Sequence, residues 1–263
     1  MTAYQTLLTE IDAGVGIVTL NRPERHNAFD DLMIGELAAA IGAMADDPAA
    51  RVVVISSTGK SFCAGADLNW MQRAARFSLE ENRRDAGELA EMLRRVAECP
   101  KPVIARVQGP AYGGGVGLVA ACDMAVASFD VRFSLTEVKL GLIPAVISPH
   151  VIAAIGERYA RRYMLTAEAF SAAEAYRIGL IHEMVSDDIA LDEAVGEWVD
   201  VLLKNGPRAL AECKRLIRAV AGQPLGQPLI DDTVDRIARV RVSPEGQEGL
   251  AAFLDKRKPG WVA

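Results

Sequence analysis

The stretch GPAYGGGVGLVAACD, residues 109–123, decides the fold more than any other part of this sequence. It follows the run PVIARV, residues 102–107, whose β-branched residues are typical of a buried strand. Gly109 and Pro110 end that strand, and the glycines at 113–115 open an apolar helix that runs to Cys122. The first N–H groups of a helix have no partner inside it. The stretch therefore predicts a strand, a loop of small residues and a helix N-terminus with free donors.

A second loop of the same design lies earlier in the chain. FCAGADL, residues 62–68, follows the strand-like run 51–55 and precedes a helical pattern. Small residues let a ligand approach the backbone closely, and one N–H from each loop suits an oxygen that gains negative charge. Either loop alone is equally compatible with glycines that serve only tight turns and helix packing. Phosphate binding fits poorly, because GxxxxGK[ST] is absent and GGGVGL lacks the acidic partner of a dinucleotide fold.

Strand and helix patterns alternate up to about residue 186, and helical patterns alone follow. This order predicts an α/β core over residues 1–205 and a helical region over 206–263, with the turn Asn205-Gly206-Pro207 between them. Predicted strands are 6–11, 15–20, 51–55, 102–107, 123–127, 132–133 and 181–185. Predicted helices are 30–44, 68–99, 113–122, 148–165, 171–178, 189–203, 208–221, 230–240 and 244–256.

Composition excludes several classes of function. The 263 residues carry a net charge of −6, whereas nucleic-acid binding needs a basic footprint. The four cysteines are far apart and form no CxxC pair, so neither a zinc ribbon nor a disulfide scaffold is expected. The N-terminus lacks the pattern of a secretion signal, and no apolar run approaches the roughly 20 residues of a membrane span. We expect a cytoplasmic protein that binds neither membrane nor nucleic acid.

Five segments, taken in order, resemble the enoyl-CoA hydratase/isomerase (crotonase) family. They are LNRPERHNAF (20–29), CAGADL (63–68), GPAYGGGVGLVAACD (109–123), FSLTEVKLGLIP (133–144) and AFLDKRKPGW (252–261). The resemblance implies a spiral of ββα units followed by a C-terminal helical trimerisation region. It also implies an acyl-CoA thioester as substrate, with coenzyme A as part of that substrate, and no metal or redox cofactor. A homotrimer or a dimer of trimers is the assembly expected from it.

The resemblance also assigns roles by position. The oxyanion hole, which would hold the thioester oxygen as it becomes an enolate, falls on the backbone N–H groups of Ala64 and Gly114. Phe253 and Lys256 match C-terminal positions that reach the CoA of a neighbouring subunit. The positions implied for binding CoA or the rest of the substrate are Arg25, Ala28, Ala66, Asp67, Leu68, Phe253 and Lys256.

The catalytic glutamates mark a departure from the family pattern. Well-known hydratases of the family carry two, and this chain has Gly117 at the first position and Glu137 at the second. Hydration needs a base to activate water and an acid to protonate Cα. One carboxylate performs both tasks in a syn addition, and moving a double bond needs only one proton shuttle, so hydratase and isomerase both stay open. Spacing alone would favour Glu137 as a surface carboxylate paired with Lys139, whereas the resemblance makes it the catalytic acid/base.

A second departure points to a subgroup. The segment IPAVISP, residues 143–149, looks like that of bacterial methylglutaconyl-CoA and carboxygeranoyl-CoA hydratases, which act on branched substrates with a distal carboxylate. Gly117 is expected to widen the pocket for a β-branch, and Arg73, Arg76 and Arg84 are candidate partners for the carboxylate. Competing hypotheses are a Δ3,Δ2-enoyl-CoA isomerase, a non-catalytic RNA binder and a silent CoA-binding scaffold. The acidic charge argues against RNA, and Glu137 argues against a silent scaffold.

Overall fold

The larger of two sheets forms the centre of the molecule. A computed structural model describes residues 4–262. In its larger sheet the strand order is β1-β2-β3-β4-β6-β9, with β1 antiparallel to β2 and the remaining neighbours parallel. The strands are β1 Leu7–Asp12, β2 Val15–Leu20, β3 Val52–Ser57, β4 Val103–Val107, β6 Met124–Ser128 and β9 Glu183–Val185. The central strands are covered on both faces, which explains why β3 reads as the continuous apolar run Val-Val-Val-Ile.

A smaller sheet stands beside the first and turns the chain into a spiral. It contains β5 Ala111–Tyr112, β7 Arg132–Ser134 and β8 Phe170–Ser171 in the order β5-β7-β8. After β4 in the larger sheet the chain enters β5 in the smaller one, and after β6 it enters β7. Each such pair is followed by a helix, so successive ββα units advance along the two sheets.

Ten α-helices complete the described part of the chain. They are α1 Asp31–Asp46, α2 Leu68–Ala74, α3 Leu79–Glu98, α4 Gly114–Ala121, α5 Ser148–Thr166, α6 Ala172–Ile178, α7 Asp188–Leu203, α8 Pro207–Val220, α9 Gln227–Val242 and α10 Pro244–Leu254. Helices α1, α3, α4 and α5 bury their apolar faces in the main core. Helix α7 covers the opposite face of the larger sheet, where Leu191 and Val195 pack against Val54 and Ile104.

The single helix predicted over 68–99 is wrong, because the structure contains two. Asp67 caps α2 by accepting hydrogen bonds from the N–H groups of Asn69 and Trp70. Ser78 starts α3 with a capping box, in which Ser78 and Glu81 each accept the other's backbone N–H. The Ser-Leu-Glu-Glu signal at 78–81 is present in the sequence and marks this second start. Strands β5 and β8 also escaped prediction, since two residues carry no periodicity.

The helices after residue 206 are held to the core by polar contacts. The Nζ of Lys214 on α8 lies 2.5 Å from Oδ2 of Asp123 and 3.0 Å from the carbonyl oxygen of Lys101. Arg51 donates to the carbonyl oxygens of Asn205 and Trp261, so the last residues also return to the sheet. Helix α8 begins directly after the boundary proposed at residues 205 and 206.

Replacing Lys214 with Met should weaken this attachment. The side chains of Lys214 and Asp123 are 12% and 27% exposed, so Lys214→Met leaves a mostly buried carboxylate without its cation. We expect a loss of about 2–3 kcal/mol in the free energy of unfolding, below the full cost of breaking a completely buried pair. Urea unfolding measures this change in the free energy of unfolding. The matched control is Arg215→Met, which breaks an exposed pair with Glu212 on the same helix and should cost less than about 1 kcal/mol. Equal losses in the two variants would contradict the anchoring role.

Candidate active site

The two glycine loops are in direct contact. Gly65 and Gly113 both have positive φ, 89° and 48°. A Cβ atom added to Gly65 would lie 2.9 Å from the carbonyl oxygen of Tyr112, and one added to Gly113 would lie 4.0 Å from Cα of Gly65. Glycine is therefore needed at position 65 for conformation and for space, and at position 113 for conformation. The N–H of Tyr112 donates to the carbonyl oxygen of Cys63 at 2.9 Å, which fixes the alignment of the loops.

In the first loop the free donor is Ala66, and this corrects the assignment to Ala64. The N–H of Ala64 donates to the carbonyl oxygen of His26 at 3.0 Å. The flanking segment is paired in the same way, since the N–H of Asp67 donates to Phe29 at 2.8 Å. Among the hydrogen bonds of residues 4–262, none uses the N–H of Ala66, and Ala66 is exposed. Ala66 directly follows Gly65, the glycine at the contact of the loops.

In the second loop the residue with a free donor is Gly114. Gly114 is the first residue of α4, and its N–H finds no acceptor in the described part of the chain. The positive end of the helix dipole adds to its attraction for an anion. Ala66 and Gly114 each follow one of the two touching glycines. The structure thus brings together two free backbone donors, which suits a carbonyl oxygen that becomes negatively charged.

Glu137 lies against the same glycine contact. It begins a short 3-10 helix, Glu137–Leu140, that follows β7 and that the sequence did not predict. The N–H of Gly113 donates to the carbonyl oxygen of Ser134 at 2.9 Å, which holds the end of β7 against the glycine loop. A Cβ atom at Gly113 would lie 3.1 Å from Oε1 of Glu137. The carboxylate therefore stands next to the first turn of α4.

The Glu137 carboxyl group is half-buried, and one of its oxygens forms no hydrogen bond in the described part of the chain. Oε2 is buried and has no hydrogen-bond partner within residues 4–262. Burial raises the pKa of Glu137 above its ordinary value. The alternative pairing with Lys139 is absent from the described ion pairs, and Lys139 points to the surface. A half-buried carboxyl group with a raised pKa and an unused oxygen is suited to accept and return a proton.

The space at Gly117 is filled, contrary to the prediction that this glycine widens a pocket. A Cβ atom at Gly117 would lie 2.2 Å from Cγ2 and 2.6 Å from Cβ of Ile147. Ile147 belongs to the IPAVISP segment and is 3% exposed. No local pattern indicates this contact, because Gly117 and Ile147 are 30 positions apart and lie in different elements.

The implied CoA-binding positions divide into exposed and buried groups. Arg25 is exposed in the 3-10 helix Pro23–Arg25, and Leu68 is 73% exposed at the start of α2. Ala28 is buried beside that 3-10 helix, at 6% exposure. The assignment of Asp67 to substrate binding is corrected. Its side chain is buried, caps α2 and pairs with Arg22 at 3.5 Å.

The remaining candidates lie on the surface or serve the structure. Phe253 is 81% exposed on α10, and Lys256 is exposed just beyond that helix. Arg73 is paired with Asp31, whereas Arg76 and Arg84 are exposed.

Sequence reasoning missed the residues that hold the segment before the first loop. Asn27 is fully buried, and its side-chain amide donates to the carbonyl oxygens of Thr58 and Ser61 at 2.8 and 2.9 Å. Arg22 donates to Asp30 at 2.5 Å. Arg22 and Asn27 both lie in the motif LNRPERHNAF. Polar residues of a motif outside the regular elements often hold a loop in place, so this was the available signal.

No helix among residues 4–262 combines the length and apolar character that crossing a membrane needs. The same residues contain no cluster of three or more His, Cys, Asp or Glu side chains able to hold a metal ion.

Known proteins resemble this chain over nearly its whole length. A family model described as enoyl-CoA hydratase/isomerase matches residues 10–263. A crotonyl-CoA hydratase from Syntrophomonas wolfei is 32% identical over 268 residues, covering 99% of each chain. The crystal structure of an enoyl-CoA hydratase from Shewanella pealeana is 44% identical, with a TM-score of 0.95 over 98% of this chain and 96% of its own. AtuE from Pseudomonas aeruginosa is 38% identical, with a TM-score of 0.94 over 98% and 100%. The predicted fold, a spiral of ββα units with a helical C-terminal region, is confirmed.

The raised pKa of Glu137 is open to direct measurement. Carbon NMR of protein labelled at the glutamate carboxyl groups follows each titration, and Glu137→Gln identifies the signal that disappears. We expect a midpoint above the ordinary glutamate value of about 4.3, because burial disfavours the charged form. A midpoint for Glu137 at or below that ordinary value would contradict the burial of its carboxyl group.

Proposed function

This chain is an enzyme of the enoyl-CoA hydratase/isomerase family, and from that premise we propose that it adds water to the double bond of a 2-enoyl-CoA thioester. The observation that carries the proposal is the arrangement of one half-buried carboxylate, Glu137, beside two free backbone donors, Ala66 and Gly114. The names of the related hydratases support the same reaction.

The three groups divide the chemistry. The Glu137 carboxylate accepts a proton from water while the water oxygen forms a bond to Cβ of the substrate. The electrons of the double bond move to the thioester oxygen, where the N–H groups of Ala66 and Gly114 stabilise the enolate. Glu137 then returns the proton to Cα, the thioester carbonyl re-forms, and the carboxylate is regenerated. Addition of both groups from one side follows from the use of a single carboxyl group.

The CoA portion is proposed to lie along the exposed rim of the site. Arg25 offers a cation to the phosphates, with the backbone around Ala28, Ala66 and Leu68 beside the rest of the molecule. No redox cofactor or metal takes part in the proposed steps.

For the acyl group we propose a branched, carboxylate-bearing chain such as that of 3-methylglutaconyl-CoA. Its support is the likeness of residues 143–149 to that subgroup. Gly117 does not provide space for the branch, because Ile147 fills the volume next to it. Arg76 and Arg84 are the exposed cations left for a distal carboxylate, since Arg73 is paired with Asp31.

Isomerisation of a 3-enoyl-CoA is the second candidate, and the same observation favours it. Moving a double bond requires removal of one proton and its return at another carbon, which a single Glu137 performs without water. The enolate intermediate would use the same two N–H groups.

A turnover screen in ¹⁸O-labelled water separates these possibilities. We expect labelled 3-hydroxyacyl-CoA from 3-methylglutaconyl-CoA, faster than from crotonyl-CoA, and a loss of about 10²–10⁴-fold in kcat for Glu137→Gln. Faster turnover of crotonyl-CoA would reject the branched substrate and keep the hydratase. Conversion of a 3-enoyl-CoA without incorporation of label would establish the isomerase instead. Full activity of Glu137→Gln would reject the role of Glu137 in either reaction.

A pair of variants at Gly114 isolates its N–H group. Proline fits the first position of a helix but removes the donor, and Gly114→Pro should lower kcat by about 10²–10³-fold. A Cβ atom here approaches Cδ2 of Phe29 to 3.0 Å. Gly114→Ala is the control, because it introduces the same Cβ atom and keeps the N–H. Equal kcat values for the folded Pro and Ala variants would remove Gly114 from the oxyanion hole.

The helices after residue 206 are proposed to join three copies of the chain. Helix α9 exposes Ile230, Val234 and Ile237 on one face, and α10 exposes Phe253 and Leu254, an apolar surface unusual for an isolated chain. In a trimer Phe253 and the nearby Lys256 would reach the CoA of a neighbouring subunit. Light scattering should give a mass of three or six chains, and a monomer at micromolar concentration would contradict the assembly.

A further inference from the structure

Ile147 packs against α4 at a position where only glycine fits. At 2.2 and 2.6 Å, the distances from a Cβ atom at Gly117 to Cγ2 and Cβ of Ile147 are far below van der Waals contact. The second distance involves the Cβ atom of Ile147 itself, so a change of rotamer does not relieve the overlap. The side chain of Ile147 therefore occupies the volume into which any side chain at position 117 would project.

The backbone fixes Ile147 in this place. Its carbonyl oxygen accepts hydrogen bonds from the N–H groups of His150 and Val151, at 3.1 and 3.0 Å, at the start of α5. Its side chain is 3% exposed and β-branched, which restricts rotation about χ1. Movement of Ile147 away from Gly117 would require movement of the first turn of α5.

Glu137 and Ile147 lie against the start of α4, about one turn apart. Gly113 is the N-cap residue of α4, and its carbonyl oxygen accepts a hydrogen bond from the N–H of Gly117 at 3.2 Å, so position 117 lies one turn further along the helix. Position 113 faces Oε1 of Glu137 and position 117 faces Ile147. The space next to the catalytic carboxylate along α4 is thus bounded by hydrocarbon.

We propose that Ile147 determines acyl-chain specificity: its side chain closes the space beyond Glu137 along α4, so that the enzyme accepts short acyl groups and excludes longer ones. The assignment rests on the proposed function, since it concerns the acyl group of that substrate. Any charged end of the substrate must point away from Ile147, because an unpaired charge is costly against hydrocarbon.

Binding of saturated acyl-CoA thioesters tests the assignment without relying on turnover. Calorimetry with butyryl-CoA and octanoyl-CoA gives the ratio of their dissociation constants for each protein. Truncation in Ile147→Ala removes three carbon atoms, and we expect the ratio to shift about tenfold or more towards octanoyl-CoA. The matched control is Ile155→Ala, an equal truncation of another buried residue of α5, which should leave the ratio within about threefold.

The outcomes separate this assignment from the proposed function. An unchanged ratio in Ile147→Ala, with both thioesters bound, overturns the role of Ile147 and leaves the hydratase intact. Failure of the wild-type protein to bind either thioester overturns the proposed function and the assignment with it. An equal shift in Ile155→Ala shows general loosening of the core and also overturns the assignment.

A double-variant cycle tests the contact itself. Gly117→Ala should lower the urea midpoint because the new methyl group overlaps Ile147. Combined with Ile147→Ala, which removes Cγ2 and leaves Cβ, the same substitution should cost clearly less. Equal losses in the two backgrounds would show that Gly117 and Ile147 are not coupled, and the inference would fail.

Discussion

The contact between Gly65 and Gly113 is the constraint on which the rest of the site depends. At this point two loops from different ββα units approach so closely that no Cβ atom is tolerated on Gly65, and both glycines have positive φ. The residues that follow them, Ala66 and Gly114, then present free N–H groups at the same place. Because both donors belong to the backbone, their geometry is set by the fold and costs no side-chain ordering when charge develops.

Glu137, the proposed acid/base group, is brought to the same contact by a different part of the spiral. The hydrogen bond from Gly113 to Ser134 joins the glycine loop to the end of β7, and Glu137 follows three residues later. The position explains both properties of the carboxyl group, its closeness to the donors and its burial. Burial raises its pKa, so the group can hold a proton taken from water long enough to return it to carbon.

The apolar neighbour of Glu137 gives the site a different character from one with two carboxylates. Gly117 and Ile147 are complementary in shape, because Ile147 occupies the volume into which a side chain at position 117 would project. Proton transfer is then assigned to one group, and the shape of the acyl site is assigned to a residue that does no chemistry. The two roles are separable by experiment because Glu137 lies against Gly113 and Ile147 lies against Gly117, and the apolar side chain of Ile147 takes no part in hydrogen bonding.

The sequence by itself determined the periodic elements, the two glycine loops and the lone glutamate. Helix and strand patterns, cap residues and glycine clusters are local signals, and they predicted most element positions, the fold and the placement of Gly114. Local signals did not separate α2 from α3 correctly, although the capping box at Ser78 was present. They also could not reveal β5 and β8, which are too short for a period.

Only the tertiary structure decided which backbone donor is free and which space is filled. Ala64 and Ala66 are equivalent in the sequence, yet the carbonyl oxygen of His26, 38 positions away, occupies the N–H of Ala64. The glycine at position 117 suggests a wider pocket, but Ile147, at the start of α5, fills the space beside it. Hydrogen-bond partners and excluded volume depend on contacts between distant segments, and no pattern within one segment records them.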